Sequence, residues 1–278
     1  MPMKKYMIRC DMEGVGGIVH ESQASPHGAE YAQGRAWFMA ELVALVEGLR
    51  EGGADEVVVY DEHYYGRNID LAQLPKGARA ICGKPPYRSD WAGGLDASFA
   101  GLVLHGFHSK FGTRNGLLNH TYEPDIADLL LNGVSVGEIG MESAIAGDFS
   151  VPTVLIVADS AGVAEAASLL PGIVGVAVKE SVSVGGAVCY PQAETLGRIR
   201  VAAQSVVRRP PPVKPYATGP SVSLQVRFND GPYMHALQGL FRDRVSGEGA
   251  LDLQASRATD IWAEYWQMKL RAQAAVAR

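Results

Sequence analysis

Asp11 and Glu13 stand two residues apart, between the strand-like run Met7 to Cys10 and a string of glycines, Gly14, Gly16 and Gly17. Two carboxylates this close repel each other unless something positive lies between them, and a hard or borderline divalent cation meets that need. Taken alone, such a pair is more often two solvated acids in a loop. Three further residues change the balance: His63 after Asp61-Glu62, His108 after Gly106-Phe107, and Glu138 after Gly137. Neutral imidazole and carboxylate are the usual ligands of zinc and its neighbours. Five such groups exceed the three protein ligands of a catalytic tetrahedral zinc. They suit two ions about 3.5–4 Å apart that share one bridging carboxylate and a hydrolytic water. No local spacing such as His-Glu-x-x-His links them, so the fold must bring them together. His20, His27, His105 and His235 read as ordinary polar residues.

The elements that would position these residues follow from periodicity. Met7 to Cys10 reads as a strand leading into a parallel sheet, whose C-terminal edge is where such sheets place their chemistry. Phe38, Leu42, Leu45, Val46 and Leu49 recur at helical spacing and stop at Gly52-Gly53. Val57 to Tyr60 is a buried strand, completing a βαβ unit. Gly101 to Leu104 is another, with Ala78 to Cys82 a weaker one. Leu129 to Leu131, Asn132-Gly133 and Val134 to Val136 read as a hairpin with a tight turn. Ile139 to Phe149 reads as a helix, Val151 to Ala158 as a strand, Ala161 to Leu170 and Pro191 to Val207 as further helices. The run Arg208 to Pro215 carries four prolines and must be a stiff connector. Beyond it, Val222 to Phe228 alternates as a half-exposed strand, Leu251 to Leu253 can pair with it, and Ile261 to Leu270 is an amphipathic helix. The fold class expected is α/β: a three-layer αβα domain over residues 1–208 with a largely parallel sheet, and a smaller α+β portion over 216–278.

Composition sets outer bounds. The chain has 278 residues, 47% of them hydrophobic, enough for a large core. A net charge of −5 gives no basic footprint for nucleic acid. Cys10, Cys82 and Cys189 are odd in number and far apart, which suits a reducing cytosol rather than a disulfide framework. Lys4 and Lys5 precede no apolar leader, and no run of about 18 apolar residues exists to span a membrane.

Asp11-Met12-Glu13-Gly14, Asp61-Glu62-His63, Gly106-Phe107-His108, Asn119-His120-Thr121 and Val136-Gly137-Glu138-Ile139-Gly140, in that order, resemble the zinc-dependent D-aminopeptidase family. The likeness runs over roughly residues 4 to 180 and more weakly to the end. It implies two zinc ions per subunit, with Asp11 bridging them and Glu13, His63, His108 and Glu138 as the other ligands, and with His120 taking part in catalysis. It also implies cleavage of N-terminal D-residues from short peptides, by a homo-oligomeric ring of ten whose sites face an inner chamber. One departure stands out: the family has serine where this chain has Arg9. A guanidinium there would neutralise the acids, meet a substrate carboxylate, or compete with metal for Asp11 or Glu13.

Two other functions fit parts of the pattern. A two-metal phosphoesterase would use the same ligands, but the motifs carry no basic cluster to hold phosphate. A nucleotide-binding module would use Gly14 to Gly17 as a phosphate loop, although the spacing is not Gly-x-Gly-x-x-Gly and no helix opens directly behind it.

Overall fold

The computed structural model describes residues 3–246 and 249–277. Strand β1 (Lys5–Cys10) leads through the short α1 (Glu21–Ala24) and the long α2 (Tyr31–Gly52) to β2 (Glu56–Asp61), β3 (Ala78–Ile81) and β4 (Phe99–Phe107). The hairpin β5 (Ile126–Leu131) and β6 (Val134–Ser135) follows, then α3 (Glu138–Gly147), β7 (Thr153–Asp159), α4 (Ser160–Leu169), β8 (Val174–Ser183), β9 (Gly186–Cys189) and α5 (Gln192–Arg208). Past the prolines come β10 (Val222–Phe228), α6 (Pro232–Leu240), β11 (Ala250–Ala255) and α7 (Ala258–Val276).

The main sheet has the order β3-β2-β1-β4-β7-β8-β9. All its pairings are parallel except β8 with β9. From β1 the chain moves outward to β2 and β3, then returns to the other side of β1 as β4. The crevice between β1 and β4 is therefore the topological switch point, where ligands bind in open α/β sheets. Register makes that edge level. Cys10 lies opposite both Asp61 of β2 and His105 of β4, so the residues that follow these three strands emerge side by side.

The strands alternate between two cores. Ile8, Cys10, Val57, Val59, Val103 and Val157 pack with Phe38, Leu42 and Leu45 of α2 and Ile199 and Ala203 of α5. Met7, Val58, Leu102, Leu104 and Ile156 pack with Ile139 of α3 and Ala166 of α4. This is the three-layer arrangement that the strand and helix patterns predict. Helix α2 stops as expected, at Gly53 (φ 101°), whose N–H reaches the carbonyls of Arg50 and Leu49.

The hairpin turns at Asn132 (φ 49°) and Gly133 (φ 79°), the paired positive angles of a type I′ turn. Its place in the fold is not local. β5 pairs with β10, Leu131 opposite Leu224 and Leu129 opposite Val226, in a four-stranded antiparallel sheet of order β11-β10-β5-β6. The portion after the prolines therefore builds its sheet on two strands from before them. One face of this sheet packs on Ile261, Trp262, Tyr265 and Met268 of α7. Met141, Ala144 and Ile145 of α3 enter the same core, so α3 is buried between the main sheet and the smaller unit. Strand β9 and helix α6 carry little periodic signal, and the sequence patterns do not predict them.

Candidate metal centre

Each of the five expected ligands lies at the C-terminal edge of the main sheet. Asp11 and Glu13 follow β1, His63 follows β2, His108 follows β4 and Glu138 is the first residue of α3. Two glycines make this approach possible. The N–H of Asp11 donates to the carbonyl of His105 (2.8 Å) and that of Gly14 to the carbonyl of Gly106 (2.7 Å), stitching the turn after β1 to the end of β4. A Cβ on Gly14 would stand 1.8 Å from the Phe107 carbonyl oxygen, and one on Gly106 (φ 74°) 2.0 Å from that of Asp11. Only hydrogen fits at either position. The turn after β2 is fixed by Asp61, which accepts from the backbone N–H (2.6 Å) and side chain (2.8 Å) of Asn68; Asn68 also reaches the His63 carbonyl (2.9 Å).

The imidazoles show what this edge is built for. His63 donates from Nε2 to the Ala24 carbonyl (3.0 Å), so its Nδ1 turns to Asp11 Oδ1 (2.7 Å) and Glu13 Oε2 (3.3 Å). His108 donates from Nδ1 to the Ser109 carbonyl (2.9 Å), so its Nε2 turns to Asp11 Oδ2 (3.4 Å) and Glu138 Oε1 (3.4 Å). A carbonyl can only accept, so in each ring the nitrogen facing it carries the proton and the other presents a lone pair. Those lone pairs meet carboxylate oxygens, which also only accept. Asp11 Oδ2, Glu13 Oε2 and His108 Nε2 are buried with no hydrogen-bond partner. The arrangement needs positive charge at two points, and imidazoles with one nitrogen tied to a backbone carbonyl are the usual form of metal-binding histidine.

The two points share Asp11. Asp11, Glu13 and His63 form one group of donor atoms within 4.8 Å of one another, and His108, His120 and Glu138 form a second. The titration behaviour agrees. Burial pushes Asp11 up to about 6, helped by the repulsion of Glu13. Burial also acts to raise Glu13, but His63 outweighs it and holds Glu13 well below the ordinary carboxylate value. For His63 and His108 burial acts downward, yet the facing carboxylates win: His63 sits well above its usual value and His108 is pushed up to about 10. In the metal-free protein a second proton on each ring supplies the missing charge. The donor set, carboxylate with imidazole in two groups, fits a pair of zinc-like ions.

His120 lies against the buried five but is less enclosed, with 30% of its side chain exposed. Its ring stacks on His108 at 4.0 Å between centroids. Nδ1 donates to the Leu118 carbonyl (3.0 Å), and Nε2 stands 3.8 Å from Glu138 Oε1. Its neighbours brace the loop: Asn119 accepts from Gly112 N–H (2.8 Å) and Thr121 from Phe111 N–H (3.1 Å). His105 faces the other way, stacked on Phe38 with Nε2 3.2 Å from Glu41.

Arg9 neither reaches Asp11 nor Glu13. It points to the α3 side of the sheet, fully buried, and pairs with Glu142 and with Glu62 (3.5 Å), while Nη2 donates to the Ala92 carbonyl (2.7 Å). None of the roles expected for it at Asp11 and Glu13 is realised: buried on the other face, its charge neutralises Glu142 and Glu62 instead. The glycine loop is likewise no phosphate cradle: Gly14 N–H is taken by Gly106 and Gly16 N–H by Glu41 (3.0 Å).

Sequence reasoning missed Tyr122. Its backbone N–H donates to Glu138 Oε1 (2.7 Å), its hydroxyl donates to Glu142 (2.8 Å), and its ring packs against Trp262 of α7 at 4.5 Å. Its backbone lies in the left-handed region (φ 57°), a strained position for a bulky residue. Its only sequence signal is its place directly after Asn119-His120-Thr121.

The chain can be set beside known proteins. It is 29% identical over 198 residues to the D-aminopeptidase of Bacillus subtilis (strain 168), covering 71% of this chain and 70% of that one. Its fold superposes with a TM-score of 0.90 on the Zn-dependent D-aminopeptidase DppA from Bacillus subtilis, described as a self-compartmentalizing protease, at 23% identity over 97% of this chain and 98% of the other. The family model described as D-aminopeptidase matches residues 3–262, with the Asp11 turn, the three strand ends and the α3 start all inside it, and the chain belongs to that D-aminopeptidase family, peptidase M55.

Proposed function

We propose that the chain is a two-zinc aminopeptidase that releases N-terminal D-residues from short peptides. One ion would be held by Asp11, Glu13 and His63, the other by Asp11, His108 and Glu138. The observation that carries this reading is the Asp11 carboxylate, which offers Oδ1 to one imidazole and Oδ2 to the other. Bound ions supply Lewis acidity toward the scissile carbonyl and a water of lowered pKa. The protein's own part is positional and protonic. Ala24 and Ser109 carbonyls fix the two ligand imidazoles, and the Tyr122 N–H aims Glu138. His120 has its Nδ1 proton committed to Leu118, so Nε2 is free to take a proton and return it to the leaving amine.

The Bacillus relative's self-compartmentalizing description supports a homo-oligomer here as well, with a closed ring of ten as the specific proposal. Among the described residues no helix is long and apolar enough to cross a membrane, and the three cysteines are free. A reducing cytoplasm is the proposed setting. Phosphate-ester substrates fit less well, because the buried cations beside the motifs are spent, Arg9 on Glu142 and Glu62 and Lys179 on the carbonyls of the Glu13 turn.

The test is a release assay on matched D-Ala and L-Ala dipeptides. Release from the D-substrate, abolished by chelator and restored by zinc, is expected. Turnover that survives complete metal removal would overturn the reading.

A further inference from the structure

Lys179 lies in the middle of β8, fully buried, and spends its whole hydrogen-bonding capacity on one turn far away in sequence. Its ammonium donates to the carbonyls of Glu13 (2.6 Å), Val15 (2.7 Å) and Ile18 (2.5 Å). An ammonium has three protons, and all three are used. Glu41 of α2 grips the same turn through Gly16 N–H (3.0 Å), with His105 against its other oxygen (3.2 Å). The Val15 carbonyl also accepts from the Ile18 N–H (3.2 Å), so the carbonyls of Glu13 and Ile18 are the ones that most need such a donor.

We infer that Lys179 is a positioning residue for the first metal group. By holding the Glu13 carbonyl it fixes the backbone from which the Glu13 carboxylate is aimed, beside Asp11 and opposite His63. The inference rests on the reading of Asp11, Glu13 and His63 as a metal-binding group. It extends that reading to a residue on the far half of the sheet that touches no ion. The second group depends on different supports, namely Ser109, Tyr122 and the start of α3, and none of these contacts Lys179. The effect of Lys179 is therefore selective. A lysine kept only for packing would show no such selectivity, because loss of the scaffold weakens both groups together.

The test titrates metal-free full-length protein with Co2+, followed by its absorption, with zinc competition for affinity. Wild type, Lys179→Met and Lys179→Gln are compared, alongside the thermal midpoint of each metal-free protein. Wild type is expected to take up two ions. Each variant is expected to hold one with affinity close to wild type and the other at least about tenfold more weakly, the usual cost of removing a support behind a ligand. Equal weakening of both ions in step with a lowered thermal midpoint would overturn the inference, and so would two ions bound as in wild type. Lys179→Gln keeps donors for part of the cradle without a buried charge, so it carries the test if Lys179→Met does not accumulate. Failure of both to fold would assign Lys179 to the scaffold and overturn the inference too. A wild-type protein that takes up no metal overturns the proposed function itself, which separates the two failures.

Discussion

Two clusters of charge flank one loop, one of buried acids and imidazoles and one of a buried lysine between half-buried carboxylates, and they are built on opposite terms. At the far end of the loop, Lys269 of α7 pairs with Glu123 (2.8 Å) and Asp125 and lies over the rings of Tyr233 (4.6 Å) and Phe228 (5.4 Å). Gln273 completes Glu123 (3.1 Å). Donors and acceptors match there, and none of the charged side chains is left without a partner. At the near end, Asp11, Glu13 and Glu138 face imidazoles whose spare nitrogens are acceptors unless a second proton charges the ring, and three buried atoms have no hydrogen bond. The first cluster is satisfied by the chain alone and holds α7 to the loop. The second is complete only with added positive charge. Ionisable groups pressed together are common to both; what separates structure from chemistry is whether the donors and acceptors balance.

The comparison can be broken most sharply at Asp11. Asp11→Ala removes the one carboxylate common to both groups. Metal content should fall to background and activity with it, a loss on the order of 10⁶-fold if the acceleration goes with the ions. Metal analysis of purified protein is the check, and near-normal zinc in the variant would sink the shared-ligand assignment. His120→Ala should keep its metal and lose turnover by about 10²- to 10⁴-fold, the range for a proton-transfer group. A metal-poor His120→Ala protein would move His120 into the second ligand group, which its stacking on His108 and its distance to Glu138 geometrically permit.

At the balanced cluster the expected loss is of stability alone. Lys269→Met leaves Glu123 and Asp125 without their cation, but both carboxylates keep contact with water, so it should cost about 1 kcal/mol in denaturant unfolding. Zinc stoichiometry should stay unchanged in the fraction that folds. A selective loss of metal would mean that the two clusters are coupled through the loop.

The smallest expected signal is a proton count. In the metal-free protein the folded pKa values of His63 and His108 are raised, the latter to about 10. A raised folded value favours folding below the unfolded value of about 6.5, and that stabilisation is lost as pH climbs through the folded value. Metal-free protein should therefore become less stable from about pH 6.5 to 10. Adding zinc at pH 7 should displace about two protons, one from each ring, in an unbuffered titration. Zinc uptake without proton release would show the rings already neutral and the electrostatic account wrong.

Much of this site is legible in the linear sequence, because turn chemistry and periodicity are local. The acids after β1, the histidines past β2 and β4, the glycine stop of α2 and the Asn132-Gly133 turn all follow from neighbours a few residues away. What the sequence could not decide depends on partners far along the chain. His105 and His108 are three residues apart, yet one packs on Phe38 inside the sheet and the other turns to Asp11, because Gly106 takes a positive φ and shifts the register of β4 against β7. Arg9 looks like a threat to the metal site until the period of the strand turns it to the α3 face and Glu142. The hairpin β5–β6 reads as self-contained, but its pairing with β10 comes from nearly a hundred residues away. Lys179 in an apolar strand has no motif at all. Its three carbonyl partners lie more than 160 residues before it, and only the closing of the sheet brings them within reach.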